Sequence, residues 1–328
     1  MKQLRIALLL LAALTLGMGA WSAPAQAKTY LAFGGGPVGG TYIYFSNAMA
    51  SLLNNTYPGD MEVSSEGSGG STANLKRAHK HDIDFGISYM GDCWLGRHGK
   101  LPKDTNKYDN VTAVAALYPA HAHLVTRRAD GITSATQLAG KRVAVGNAGS
   151  GAAACAERFF TTLGLWDKMD KQFLGYSAAA AALNDGKLDA FWVFVGFPNA
   201  SIIEAAARDD IYLIDVHKDA EAAGFYKEYP FYAPANIPAG TYPKQTEPTL
   251  SFQDAAWWIA SKDVDADAVY KALKAVYSPE GLKHMVAAHK KAKEMKIKTA
   301  LTGVAIPVHP GAAKFWKEQG LTVPDIKD

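Results

Sequence analysis

The stretch Thr29-Tyr-Leu-Ala-Phe-Gly-Gly-Gly-Pro-Val-Gly-Gly-Thr-Tyr42 decides the fold. Thr29–Phe33 is rich in β-formers and reads as a short strand. A glycine-rich turn around Pro37 follows at once, and Thr41 stands where a helix cap is wanted. Tyr42, Phe45, Met49 and Leu52 then recur at helical spacing. Downstream the same construction returns. Met61–Ser65 reads as a second strand, Gly67-Ser-Gly-Gly-Ser71 as a second turn, and Asn74, Leu75 and Ala78 lie on the helix after it. Ile83–Ser88 is a third strand. Strand, turn and helix in repetition predict parallel βαβ units.

Working outward, Val111–Val125 is a long strand-like run interrupted at Pro119. The pattern then restarts. Gly140–Gly146 is a strand, Asn147-Ala-Gly-Ser-Gly151 a turn, and 152–163 a helix. Ala178–Leu183 reads as helix and Leu188–Val195 as a buried strand. Two similar lobes would give such a restart. The segment 229–248 holds five prolines and reads as loop. Asp254–Ala260 is a strand, and a helix-rich end follows. There, Lys290, Lys291, Lys293, Lys296 and Lys298 read as the solvated face of a late helix, with docking to an acidic partner as the alternative.

Composition narrows the class. The chain has 328 residues, 48% hydrophobic and 20% charged, which excludes wholesale disorder. Its 30 Gly and 15 Pro exclude a coiled coil. A net charge of +3 gives no electrostatic case for nucleic acid. Lys2 and Arg5, the apolar run Ile6–Leu16 and Ala25-Gln-Ala27 form a secretory signal over 1–27. The expected mature chain, from Lys28, is exported to the periplasm. With only Cys93 and Cys155, it is no disulfide scaffold.

The three turns, Gly34–Thr41, Gly67–Ser71 and Gly149–Gly151, carry the chemistry. Glycine lets backbone approach a ligand closely. Helix N-termini offer free N–H groups and the positive end of a dipole, so they hold carboxylates or phosphates without a side-chain cation. In open α/β sheets ligands sit at such carboxyl-end turns. Gly34, Gly36 and Gly39 match G-x-G-x-x-G, yet no acidic residue closes a second strand in the required context, so no dinucleotide cofactor is expected. Gly149-Ser-Gly151 is not a nucleophile elbow. His121 and His123 share a strand face without an obvious third ligand, so no metal is expected either.

Taken in order, Gly34-Gly-Gly-Pro-Val-Gly-Gly-Thr-Tyr42, Gly69-Gly-Ser-Thr-Ala-Asn-Leu75, Asp82–Ile87 running to Asp92, Leu138–Gly146 with Gly149–Gly151, Leu183–Ala190, Gly196-Phe-Pro198 and Ile306–Ala312 resemble the TAXI-type solute-binding proteins of TRAP transporters. The matching pieces are spread over nearly all of the mature chain. The resemblance implies an α/β, two-lobed periplasmic-binding-protein fold, type II-like, with the ligand held between the lobes. Lobe 1 would be 28–118 plus 250–328, lobe 2 would be 119–235, and 236–249 a Pro-rich crossover. It further implies a monomer that binds without chemistry, closes over a small organic anion or amino acid, and docks on TRAP membrane subunits. The remaining readings are a module reporting to a sensor partner and an exported enzyme.

Carried over position by position, the family's site falls on Val38, Gly39, Thr41 and Tyr42 at the first turn and on Ser68 and Ser71 at the second. Ser88, Tyr89 and Asp92 follow the third strand, and Tyr118 lies near the first crossing. Asn147, Ser150, Gly151 and Ala152 form an anion turn in lobe 2, with Trp192, Gly196 and Phe197 on the facing wall. Two departures bear on specificity. Tyr89-Met-Gly-Asp-Cys-Trp94 replaces a commoner Gln-Ser-Asp, and the wall Phe191–Phe197 is unusually aromatic, which suggests a bulkier or more apolar acid. Cys93 and Cys155 would flank the cleft. A thiol at a helix N-terminus is acidified, but two unconnected buried thiols fit better than a bridge that would oppose opening.

Overall fold

The computed structural model describes residues 28–326, so the signal expected over 1–27 lies outside the described residues. The opening stretch folds as its sequence dictates: β1 (Thr29–Gly34), α1 (Thr41–Thr56), β2 (Met61–Glu66), α2 (Ser71–His79) and β3 (Phe85–Tyr89). β1 pairs in parallel with both β2 and β3. Helix α3 (Met90–Arg97) follows β3 directly.

Strand β4 (Val111–Arg127) comes next, and the parallel pattern then resumes. β5 (Arg142–Ala144), α4 (Gly151–Thr162), β6 (Asp170–Gln172), α5 (Tyr176–Asn184) and β7 (Ala190–Val195) follow. β5 is parallel to β6 and β7. After α6 (Ala200–Arg208) and β8 (Ile211–Leu213) come α7 (Val216–Ala222), α8 (Phe225–Glu228), β9 (Ala233–Ile237) and β10 (Thr249–Ser261). Helices α9 (Ala266–Val276), α10 (Pro279–Ala288) and α11 (Pro310–Glu318) complete the chain.

All ten strands join one sheet, with the path β2-β1-β3-β10-β4-β7-β5-β6 and with β8 on β4 and β9 on β10. The two long strands hold it together. β4 pairs antiparallel with β10 from Val111 to His121, then with β7 from His121 to Thr126. The end of β10 serves β3, and its start serves β9. A first half of the sheet (β2, β1, β3) and a second half (β7, β5, β6) therefore hang on the same antiparallel pair.

Three local expectations need correction. Pro119 does not interrupt β4; it pairs with Ala255 beside a register shift at Ala256/Trp257, where a residue lacking an N–H is tolerated. The proline-rich segment 229–248 contains β9, whose Pro234 sits in a strand paired to β10. The lysine run is not an α-helix but two 3-10 turns, Lys290–Glu294 and Ile297–Thr299. Lys291 within it is buried, its Nζ 4.0 Å from the centre of the Phe197 ring.

β7 is buried along its whole length, as a strand covered on both faces should be. Trp192 stacks on Phe159 at 5.3 Å between ring centres and meets Phe160 at 5.6 Å and Phe252 at 6.0 Å. Replacing Trp192 by Ala should destabilise the protein by about 3–5 kcal/mol in denaturant unfolding, the usual range for a large aromatic lost from a packed core. A loss below about 1 kcal/mol would mean that this cluster does not anchor the second half.

Candidate functional site

Four helices begin at the carboxyl ends of parallel strands and aim their N-termini at one narrow cavity. Gly40, Thr41 and Tyr42 enter from α1, Gly69, Gly70 and Ser71 from α2, Asn147 and Ser150–Ala152 from α4, and Tyr176 from α5. Tyr89, Phe194 and Val195 close it. No side chain caps α1, α2 or α5, so their first-turn N–H groups are free of intrahelical partners. Ser150 caps α4, its Oγ accepting from the Ala153 N–H at 3.0 Å. The sequence shows three of these ends. The fourth, α5, was missed because Leu174-Gly-Tyr176 carries no Gly/Ser cluster.

Of the residues carried over, Thr41, Tyr42, Ser71, Tyr89, Asn147, Ser150, Gly151 and Ala152 line the cavity. Gly70 needs its φ of +98°, which a side chain would strain. Ser68 shapes that turn from behind: its Oγ donates to the Gly35 carbonyl at 2.9 Å and accepts from the Gly70 N–H at 3.0 Å. Ser71 Oγ donates to Asp92 Oδ2 at 2.6 Å and accepts from the Tyr89 N–H at 2.8 Å. With that proton committed, the Ser88 hydroxyl donates to Ser71 at 2.9 Å. Tyr118 packs on Tyr42 and Phe45 next to the cavity. Val38 is 81% exposed and points away. Trp192 is not brought to the site either, since it belongs to the core described above. Phe197 lies beyond the cavity, edge-on to His121 at 4.6 Å.

Burial keeps the phenols of Tyr42, Tyr89, Tyr118 and Tyr176 protonated far above neutral pH. Tyr89 and Tyr176 both donate to the Phe194 carbonyl, the second at 3.2 Å. The hydroxyls of Tyr42 and Tyr118 are buried without a well-formed hydrogen bond among the described residues. The site therefore offers neutral donors together with helix N–H groups.

Contacts between the two halves clasp the cavity. Thr72 Oγ1 donates to the Gly149 carbonyl, Thr41 Oγ1 reaches the Gly196 carbonyl at 3.5 Å, and Asn199 Nδ2 donates to the Gly39 carbonyl at 2.8 Å. One of these contacts is ionic. Arg158 of α4 pairs with Asp92 of α3 at 2.5 Å, both buried, and its Nη1 donates to the Tyr232 hydroxyl at 2.7 Å. Sequence reasoning passed over Arg158. The signal was its place on the inward stripe of α4, in line with Gly151 and Cys155, where a charge is out of pattern. Asp254 of β10 lies close by. Burial, and then the neighbouring Asp92 carboxylate, push it up to about 8.

The remaining candidates are structural. His123 Nε2 bonds the Tyr242 hydroxyl at 3.0 Å, and burial lowers its pKa to about 3, leaving the ring neutral. Among the described residues no group of three or more His, Cys, Asp or Glu is placed to hold a metal. Cys93 and Cys155 are free and buried. Burial pushes both thiols up, so the acidifying effect of a helix end is overridden.

Asp254 makes stability depend on pH. An unfolded Asp loses its proton near pH 4, whereas the folded chain holds it to about 8. In between, the folded state binds more protons, so stability falls as pH rises. Unfolding free energies from urea titrations, wild type minus Asp254→Asn, should drop across that window, by no more than about 1.4 kcal/mol per pH unit. A flat or rising difference would sink the assignment.

Solved structures share this architecture. MatC from Rhodopseudomonas palustris, with bound malate, superposes with a TM-score of 0.53 at 15% identity, over 81% of this chain and 89% of that one. A Bordetella bronchiseptica RB50 protein gives 0.50 at 13% identity, over 89% and 98%. The periplasmic aliphatic sulphonate binding protein SsuA from Escherichia coli gives 0.48 at 14%, over 89% and 79%. At these identities the likeness concerns the fold. The sequence itself is more specific: residues 33–320 match the sequence model of the NMT1-like family, and the chain belongs to that family.

Proposed function

We propose that the protein is an exported solute receptor that captures a small organic anion or amino acid between the two halves and delivers it to the membrane subunits of a TRAP-type transporter. One observation carries the ligand class. Four helix N-termini, three of them uncapped, meet protonated tyrosines in a single cavity. Such a lining solvates negative charge with dipoles and N–H groups and needs no cation. The delivery step rests on the resemblance to TAXI-type receptors. None of the described helices is long and apolar enough to cross a membrane.

The two halves act as lobes. In the clasped arrangement the cavity measures about 20 Å³, room for about one water. A carboxylic acid therefore enters only with the halves swung apart, and its binding energy must exceed that of the direct clasp. Phe191 and Trp192 sit in the core, and the aromatic lining comes instead from Tyr42, Tyr89, Tyr176 and Phe194, around a space that admits a small acid once the halves part. A malate-like dicarboxylate, as in the MatC structure, is one candidate of this kind.

Thermal unfolding of protein refolded free of ligand, against a panel of carboxylates and amino acids, tests the class. A ligand at 100-fold its Kd should add about 2.7 kcal/mol and raise the midpoint by a few degrees. No shift from any anionic or zwitterionic compound would overturn the reading.

Gly151 tests the closure. A Cβ there would lie 2.4 Å from Ser71 Cβ, across the clasp, so Gly151→Ala should wedge the halves apart. Because the ligand competes with the direct clasp, the expected result is severalfold tighter binding and a larger scattering radius before ligand is added. Wild-type affinity in this variant would refute closure at that contact.

A further inference from the structure

A second groove, of about 1080 Å³, shares no lining residue with the cavity between the helix ends. Met90, Trp94 and Leu95 of α3, Pro119 of β4, and Tyr229 and Phe231 ahead of β9 give it apolar and aromatic walls. Its size suits a drug-sized molecule. Asp254 is also part of the lining, although only 5% exposed. Its two carboxylate oxygens accept backbone N–H groups, from Gly91 at 3.0 Å and Ala255 at 2.6 Å.

No described ion pair includes Asp254. The nearby Arg158 is committed to Asp92 and to the Tyr232 hydroxyl. The other groups facing Asp254 are the Asp92 carboxylate, the Cys93 and Cys155 thiols and the Tyr232 phenol, none of them a cation. Lys100, Lys227 and Glu228 lie at the rim and are exposed. A buried carboxylate is stable when it keeps a proton or acquires a counter-cation. Aromatic faces around it also attract a cation.

We propose that this groove binds an organic ammonium ion with an apolar body, the ammonium pairing with Asp254 and the body packing on Trp94, Tyr229 and Phe231. The chemistry is opposite in sign to that of the cavity between the helices, so the two sites select different molecules.

Calorimetric titration with three compounds of similar skeleton tests this: phenethylammonium, neutral 2-phenylethanol and anionic 3-phenylpropanoate. At pH 8.5 the ammonium should bind wild type saturably and at least tenfold more tightly than the alcohol, with no binding of the carboxylate at this site. Lowering the pH to 6 protonates Asp254 and should weaken the ammonium at least tenfold. Asp254→Asn should bind amine and alcohol alike, and Trp94→Ala, at a partly exposed position, should weaken both. Equal binding of amine and alcohol to wild type, or an ammonium preference retained in Asp254→Asn with native circular dichroism, would overturn the proposal. So would absence of amine binding.

Discussion

The antiparallel pairing of β4 with β10 is the constraint on which everything else hangs. Each strand is longer than one half of the sheet requires, and each hands its partners over partway along. Sheet hydrogen bonds are directional, so the two halves cannot slide independently. The register shifts of this pair fall on β4 just ahead of Pro119, where a bulge bends a strand. Helices α1 and α2 are placed by the first half, α4 and α5 by the second, and only the shared strands bring their N-termini into one cavity.

The buried pair Arg158–Asp92 adds a second layer. Charges removed from water need good geometry and extra hydrogen bonds to be neutral or better. Here the Tyr232 hydroxyl accepts from Arg158 Nη1 and the Ser71 hydroxyl donates to Asp92, while Arg158 Nε has no hydrogen-bond partner among the described residues. The pair joins α4 to α3 and so spans the halves. Opening would rehydrate both charges, which lowers the barrier to separating surfaces that are otherwise clasped by hydroxyl and carbonyl groups. A purely apolar contact of the same area would resist water entry more strongly.

Much of this was legible in the residues. Alternating strand and helix patterns, with glycines at the joints, showed the parallel units and three of the four helix ends, because those signals are local. The expected residues that line the cavity, from Thr41 and Tyr42 through Ser71 to Ser150 and Gly151, all lie on or beside such joints. What escaped was non-local. Whether Trp192 faced the cavity or the core depended on which face of β7 met Phe159. Tyr176 gave no cue in its own neighbourhood. Arg158 was out of pattern on its helix, but its partner lies 66 residues away. Pro119 was read as a break because the irregular pairing of β4 beside it, where Leu117 has no opposite residue on β10, shows only once the two strands are aligned.

The position of Gly196 has a kinetic consequence. It sits against Tyr118 on β4, where the two halves are joined, whereas Thr72 and Gly149 meet at residues remote from that strand. A jaw bending near Pro119 separates its tip first and its root last. Departing molecules would thus lose the α2–α4 clasp early while the Thr41–Gly196 contact still held, giving release an order set by distance from the pivot. Residence time would then depend first on the tip contact between Thr72 and Gly149 and last on the root contact between Thr41 and Gly196.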